Sequence, residues 1–566
     1  MKIMNKINKS TLLICLLLMA TSAFAASEAE YKKLAKTYTL NADGSQEYRC
    51  NMELTLFTHT AMNGTYGESF IVYNPEYQEL KIHSSYTKQK DGNIIKTPDN
   101  AFVEVLPHSA ADAPAYNHLK EMVVVHTGLE LGATIYLDYS ILTKPGYLPA
   151  LDIYDEPLQS SPVKEYTYTI VLPESVQLSY TLQNYKAKPA TQVSNGTKTM
   201  KWTLQNLPAA SRNPFVSAMN GDIPFFTATT FVSEKEALNA LYKQFNPQND
   251  PQLEGIAESI CENKNKDTEK LEAILDYVIN NLDNSQLSLA ETGFRLRPVD
   301  DVINTAYGTA AEKINILSGL LNAAGIQAEP AALYRVNAEK GCGLNAISEL
   351  FVIAQADGKE YLLTPTSKRM ATAGSLGNIV PSFKLANGER LTFDAPDTDI
   401  NYKVDITLTP EKAENQITSQ TGNAQRPYFS EDKASGSSSQ SLKVKNGYVL
   451  VNLPDAPVSL ANSSFCRMNS TRKENLRMPC KANEQYTYTV HIPEGMELRT
   501  PAVNKTISNA AGQVIYSIEK DGNTAKITRS LQLSKQLYTP AEYKDLRTLL
   551  TEWGSTDNKI LLLSIL

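Results

Sequence analysis

Residues 306–330 read AYGTAAEKINILSGLLNAAGIQAEP, and the rest of the chain is organised around them. After Ala310 the apolar positions Ile314, Leu317, Leu320, Leu321 and Ala324 recur at helical spacing, which predicts a buried helix. Gly325 follows, where a helix end needs a left-handed residue. Tyr307-Gly308-Thr309 forms the turn that leads in. Glu312 and Lys313 fall in the first turn, where charge reads as solvated and facing the helix dipole, so neither is given a role.

Upstream of this stretch the texture is helical. Ser233 with Glu236 makes a capping box for a helix reaching about Phe245. Leu253, Ile256 and Ile260 mark a second helix. A third, Thr268–Leu282, carries Leu271, Ile274, Leu275, Val278, Ile279 and Leu282 on one side. Downstream come strands at Glu329–Arg335, Ser348–Gln355 and Glu360–Thr364, the last two joined by the hairpin signal Asp357-Gly358. Helices followed by strands make residues 231–392 an α+β domain.

Both flanks read as β. In residues 26–230, strands at Tyr48–Phe57, Glu68–Tyr73, Glu79–Gln89, Glu121–His126, Thr134–Thr143, Tyr166–Leu172 and Lys198–Leu204 alternate with glycine turns, the pattern of a sandwich. Residues 393–566 repeat that texture at Tyr402–Leu408, Gly447–Leu453, Gln485–Ile492, Val514–Glu519 and Thr524–Leu533. A closing helix, Pro540–Trp553, and a terminal strand, Lys559–Leu566, end the chain. Lys433–Ser441 (KASGSSSQS) has the composition of a flexible loop or linker. One echo links the flanks: EYTYTIVLPESVQL at 165–178 and QYTYTVHIPEGMEL at 485–498. Duplication and convergence on a common strand-then-turn pattern both account for it.

The first 25 residues are a targeting segment. Lys2, Lys6 and Lys9 precede the apolar run Thr11–Ala20, and Ala23-Phe24-Ala25 fits a cleavage site. The expected product is periplasmic or secreted, with no stable membrane anchor. Cleavage would leave 51 basic against 61 acidic residues, a net charge of −10. That balance argues against nucleic acid as a partner, since phosphate neutralisation needs clustered Lys and Arg. Five cysteines remain, too few and too scattered for a disulfide framework. Cys466 and Cys480 lie near each other within one β region, as a bridge or as two buried thiols.

The inventory of reactive groups is short. The six histidines are His59, His83, His108, His118, His126 and His491, so residues 127–490 contain none. No two share the short spacing of a zinc site, and no phosphate loop or dinucleotide glycine pattern occurs. No metal and no cofactor is expected. A thiolate nucleophile needs an imidazole to generate it, and none can come from within the middle domain. Cys342, in Gly341-Cys342-Gly343, is then an ordinary loop thiol with a pKa near ~8.5.

The Gly308–Pro330 stretch resembles the central helix of the transglutaminase-like cysteine hydrolase fold. Asp43-Gly44, Asp91–Ile95, Gly128–Ile135 and Tyr538–Leu546 extend the resemblance to nearly the whole mature chain. The family it resembles is one of exported multi-domain bacterial proteins, with an N-terminal β domain of unknown function, a transglutaminase-like core and a C-terminal β domain. That resemblance implies a nucleophilic Cys where Ala310 stands, a His near Leu350 and an Asp at Thr364, ahead of Pro365. All three expected groups are missing. The implied fold is a β-sandwich, a papain-like α+β core and a second β-sandwich-like domain. The implied function is a pseudoenzyme that binds or scaffolds a peptide, glycan or protein partner, with Tyr307, Gly308, Thr309 and Cys342 as candidate cleft residues. An enzyme with an unrecognised site and a purely architectural spacer remain the alternatives.

Overall fold

The structure, a computed structural model, describes residues 27–245, 250–338, 340–365, 381–392, 397–421, 436–456, 459–478 and 481–565. The chain divides into two compact units, residues 1–148, 157–176 and 185–210, and residues 149–156, 177–184 and 211–566.

Residues 27–229 supply strands β1 (Ala29–Leu40), β2 (Gln46–Leu56), β3 (Glu68–Tyr73), β4 (Gln78–Lys88), β5 (Ile94–Lys96), β6 (Phe102–Val105), β7 (Lys120–Val125), β8 (Thr134–Thr143), β9 (Asp152–Asp155), β10 (Val163–Pro173), β11 (Ser179–Gln183), β12 (Ala190–Ser194), β13 (Thr197–Leu207) and β14 (Phe225–Thr229). In the first unit an eight-stranded sheet runs β12-β13-β10-β1-β2-β8-β4-β5, and a smaller one runs β3-β7-β6. Ile71 and Val124 of the small sheet meet Leu137 and its neighbours Met52, Ile82 and Tyr139 of the large one, giving the sandwich core. Strand β1 has no counterpart among the sequence expectations. Its register slips between Tyr31 and Lys33, and this bulge breaks the alternation that would have marked it.

The second unit begins with the sheet β11-β14-β9. Helices α1 (Glu234–Tyr242), α2 (Pro251–Cys261), α3 (Asp267–Asn281), α4 (Val299–Thr305) and α5 (Ala310–Ala323) follow. Two short strands, β15 (Asp283–Asn284) and β16 (Tyr307–Gly308), pair in parallel. Then come β17 (Ala328–Tyr334), β18 (Ile347–Ala356), β19 (Lys359–Leu363), β20 (Ser382–Lys384) and β21 (Arg390–Leu391), in the order β19-β18-β17-β20-β21. Asp357 and Gly358 both take positive φ, 48° and 73°, which joins β18 to β19 as a tight hairpin.

The C-terminal part contributes β22 (Asp397–Leu408), β23 (Lys412–Thr421), β24 (Gly436–Ser441), β25 (Tyr448–Asn452), β26 (Leu476–Arg477), β27 (Lys481–His491), β28 (Met496–Leu498), β29 (Val503–Asn509), β30 (Gly512–Asp521), β31 (Thr524–Leu533), β32 (Leu537–Tyr538), helix α6 (Pro540–Trp553) and β33 (Ile560–Ile565). The expected linker at 433–441 is corrected in part: Ser437–Ser441 pair antiparallel with β23 as an exposed edge strand, while residues 433–435 lie outside the described set. A serine-rich edge forms through backbone pairing and needs no apolar side chains.

The sequence echo is an architectural one. Strand β10 pairs in parallel with β1 and antiparallel with β13, whose hairpin mate is β12. Strand β27 likewise pairs in parallel with β22 and antiparallel with β31, whose mate is β30. Tyr166 stands between Leu34 and Leu204, and Tyr486 stands between Tyr402 and Arg529. Where the first sheet has Leu204, the second buries a charge. Arg529 bonds Asp455 at 2.7 Å, donates to the Trp553 carbonyl at 3.1 Å and lies 4.7 Å from the Trp553 ring centroid. Lys559 shares Asp455.

Candidate functional site

The start of α5 is fixed from three sides. Ala306 turns the chain with φ 57°, and Thr309 caps the helix by accepting from the Glu312 amide at 3.3 Å. Glu312 reaches back to the Thr309 amide at 2.8 Å, completing a capping box. Glu312 also accepts from Arg297 at its backbone N (2.9 Å), Nε (3.0 Å) and Nη2 (3.1 Å). Arg297 in turn donates to the Tyr307 carbonyl at 2.7 Å and lies 4.4 Å from the Tyr307 ring centroid. Burial raises the Glu312 carboxyl, but the bonds from Arg297 and Thr309 outweigh it, and its pKa is lowered.

Lys313 closes the third side. Its side chain is fully buried, and Nζ donates to the Leu282 carbonyl and to Asn284 Oδ1, both at 2.7 Å. Burial pushes the amine down to about 8, against the opposing pull of Asp283. The expectation that Glu312 and Lys313 are solvated dipole partners is therefore corrected. Both are interior clamps tying α5 to β15 and to the Arg297 segment, and the turn's glycine follows from this. A Cβ on Gly308 would stand 3.0 Å from Val302 Cγ1 and 3.3 Å from Lys313 Cγ.

The three positions of the expected triad have distinct surroundings. Ala310 is exposed at the first residue of α5. Leu350 is buried on β18 opposite Ala332. Thr364 is buried just after β19. On one face of this sheet Ala331, Leu333, Phe351, Ile353 and Leu362 cluster under Met219 and Leu391. Ala332, Leu350, Val352 and Leu363 share the other face, and α5 packs against β17 and β18. Of the candidate cleft residues, Tyr307, Gly308 and Thr309 are buried; the exposed side chain is that of Ala310.

Cys342 is not an ordinary loop thiol. It is buried, and burial pushes its pKa up to about 12, with Glu234 and Asp152 adding to the rise. It is thus far less ionised than an ordinary loop thiol. Cys466 has no disulfide partner among the described residues and donates to the Leu460 carbonyl at 3.2 Å; Cys480, the other half of the expected bridge, lies outside them. Among the described residues no group of His, Cys, Asp and Glu is arranged to hold a metal ion, and no helix is long and apolar enough to cross a membrane. His126, in the first unit, bonds Ser69 at 2.9 Å, and its other ring nitrogen is buried without a partner.

Residues 42–211 match the family model of a domain of unknown function with solved structure, DUF3857; residues 254–361 match the transglutaminase-like superfamily core, and residues 448–563 match a second domain of unknown function, DUF3858. No functionally curated protein matches the chain. A crystal structure of a "putative protease" from Parabacteroides distasonis ATCC 8503 is 42% identical, covers 95% of this chain and 99% of that one, and superposes with a TM-score of 0.80. The periplasmic domain of TgpA from Pseudomonas aeruginosa matches 35% of this chain and 92% of its own at 11% identity, with a TM-score of 0.17. The chain belongs to the multi-domain family in which a DUF3857 domain, a transglutaminase-like core and a DUF3858 domain follow one another.

Proposed function

We propose that this protein is an exported pseudoenzyme that binds a polypeptide partner at the start of α5 without cleaving it. The observation that carries the reading is the pairing of a fully built helix entry with an exposed Ala310 at its first residue. Arg297, Glu312, Thr309 and Lys313 hold that entry rigid, while no imidazole exists between residues 127 and 490 to activate a nucleophile. A fold keeps its packing when its chemistry goes. A polypeptide ranks ahead of a glycan or another protein surface because the 42% identical relative is named a "putative protease". The periplasm fits the basic and apolar leader at residues 1–25.

The test uses the mature chain and the Ala310→Trp variant. An exposed first-turn position accepts a large side chain without disturbing α5, so folding should be unchanged. A displayed peptide library should yield ligands for the parent that bind the variant at least tenfold more weakly. Equal binding by both would remove the α5 entry as the site. Peptide hydrolysis that disappears on Cys342→Ser would favour the enzymatic alternative, and the absence of any ligand would favour the architectural spacer.

A further inference from the structure

The segment Lys340–Ala346, which leads into β18, is seated in a slot that its own sequence dictates. Gly341 has φ +87°, and a Cβ there would lie 2.8 Å from Tyr180 Cα and 3.1 Å from Thr227 Oγ1. On Gly343 a Cβ would lie 2.0 Å from Asp152 Oδ1. Only glycine fits on either side of Cys342, and that side chain is driven inward. Asp152 holds the seat. Its Oδ2 accepts from the Asn345 amide at 2.7 Å, and its carbonyl accepts from Asn345 Nδ2 at 2.8 Å. Thr181 Oγ1 donates to the Lys340 carbonyl at 2.7 Å.

Among the described residues the carboxylate that holds this segment makes no ion pair with a cation. Asp152 Oδ1 is buried with no hydrogen-bond partner, and the hydroxyl of fully enclosed Tyr334 is likewise orphaned. Glu234 of α1, Cys342 of the loop and Tyr334 of β17 all interact electrostatically within this cluster, and each is neutral or acidic. Strand β14 offers only the Thr227 and Thr229 hydroxyls. Arg335 lies over the Tyr154 ring and Lys340 over the Tyr180 ring, and neither makes an ion pair with Asp152 among the described contacts. An ionised carboxylate here is desolvated with hydrogen bonds but no counter-charge to offset the cost, and that cost falls away when it is protonated.

We propose that Asp152 is a proton-operated catch on the Gly341–Asn345 loop: protonated it keeps the loop seated, and ionised it lets the loop swing out on its two glycines. Release moves the segment that enters β18, and Cys342 comes out with it. The sign follows from linkage. Burial raises the Asp152 carboxyl from 3.8 to about 6 against the bonds from Asn345, Thr229 and Leu344. A carboxyl raised in the seated state loses its stabilising effect as pH climbs through that window, so opening is favoured above it. The opening equilibrium should rise about tenfold between pH 5.0 and pH 7.5.

Cys342 reports the motion. The mature chain is labelled with 4,4′-dithiodipyridine at both pH values, and peptide mapping separates Cys342 from the other thiols. Each rate is divided by that of Cys342 in the urea-denatured chain at the same pH, which removes the intrinsic thiolate effect. The normalised rate should rise about tenfold from pH 5.0 to pH 7.5 in the parent and in Glu234→Gln, and stay flat in Asp152→Asn. If Asp152→Asn does not fold, the parent series and Glu234→Gln still decide. A flat parent series overturns the catch, as does a dependence that Glu234→Gln abolishes or that a folded Asp152→Asn retains. None of these outcomes depends on the peptide-binding reading.

Discussion

Replacing Glu312 with Ala tests whether the α5 entry is a clamp or a decoration. The carboxylate receives hydrogen bonds from Arg297 N, Arg297 Nε, Arg297 Nη2 and Thr309 N, and its side chain is fully buried. Removing it takes the Glu312 counter-charge from an Arg297 guanidinium that is only 12% exposed. Breaking a buried pair in this way costs about 3–5 kcal/mol. Arg297 keeps the Thr305 hydroxyl at 3.1 Å, the Tyr307 carbonyl and the Tyr307 ring, which places the ion-pair loss at the low end. The lost cap adds about 1 kcal/mol. Glu312→Ala should therefore destabilise the core by about 4 kcal/mol. Native-state amide exchange across Ile314–Leu321 measures it locally, without assuming that the whole chain unfolds in one step. A second arm separates charge from packing: Arg297→Met with Glu312→Leu should recover most of the loss, because an apolar pair leaves no charge stranded. Glu312 contributes its stability above its unfolded pKa of 4.5, and the contribution disappears as pH falls through its lowered folded value. A single-variant loss under about 1 kcal/mol, or a double variant no better than the single one, would refute the clamp.

Three further outcomes are expected. Gly343→Ala should cost about 1–3 kcal/mol in urea unfolding, since its Cβ would overlap the Asp152 carboxylate, whereas Gly325→Ala at φ +81° meets no neighbour and should cost about 1 kcal/mol from backbone strain alone. His126 is pushed down to about 4 by burial, so the first unit should lose about 3 kcal/mol as pH falls from 6.5 to 4. Fluorescence of Trp202 in a Trp553→Phe background reads this, and His126→Gln should flatten the profile. Arg529→Ala should destabilise the C-terminal sheet by about 1.5–3 kcal/mol, because Asp455 loses its Arg529 hydrogen bond but keeps Lys559, measured by Trp553 fluorescence during urea unfolding.

The sequence made the main elements legible because they obey local rules. Helix α5 announces itself through the spacing of Ile314, Leu317 and Leu320, and Gly325 takes the positive φ its position demands. Glu68–Tyr73, Thr134–Thr143 and Thr524–Leu533 are strands over the residues that alternation marks. Non-local features stayed hidden. The sheet β11-β14-β9 draws three short segments from 152–229, and nothing in any one of them names the others. Glu312 and Lys313 were legible as charges but not as buried ones, since their partners Arg297, Leu282 and Asn284 come from preceding loops. A first-turn Glu facing an Arg fifteen residues upstream was the available signal. Cys342 shows the same limit: its flanking glycines were visible, but the Asp152 and Tyr180 they press against are over 160 residues away.

The parallel pairing of β1 with β10, and of β22 with β27, bears on how the chain reaches its native state. Strand β1 can form a hairpin with β2 as soon as residue 56 is available, yet its other edge waits for residues 163–173. Strand β22 stands in the same position with β23, until residues 481–491 arrive. In each domain a central strand is thus left with an unsatisfied edge while most of the domain is still to come. Open edges of this kind template pairing with other chains, and distant strand pairs close slowly. The interval before β10 or β27 docks is therefore when this protein is most prone to aggregate, and a holdase that covers strand edges would raise its yield more than one that covers apolar side chains.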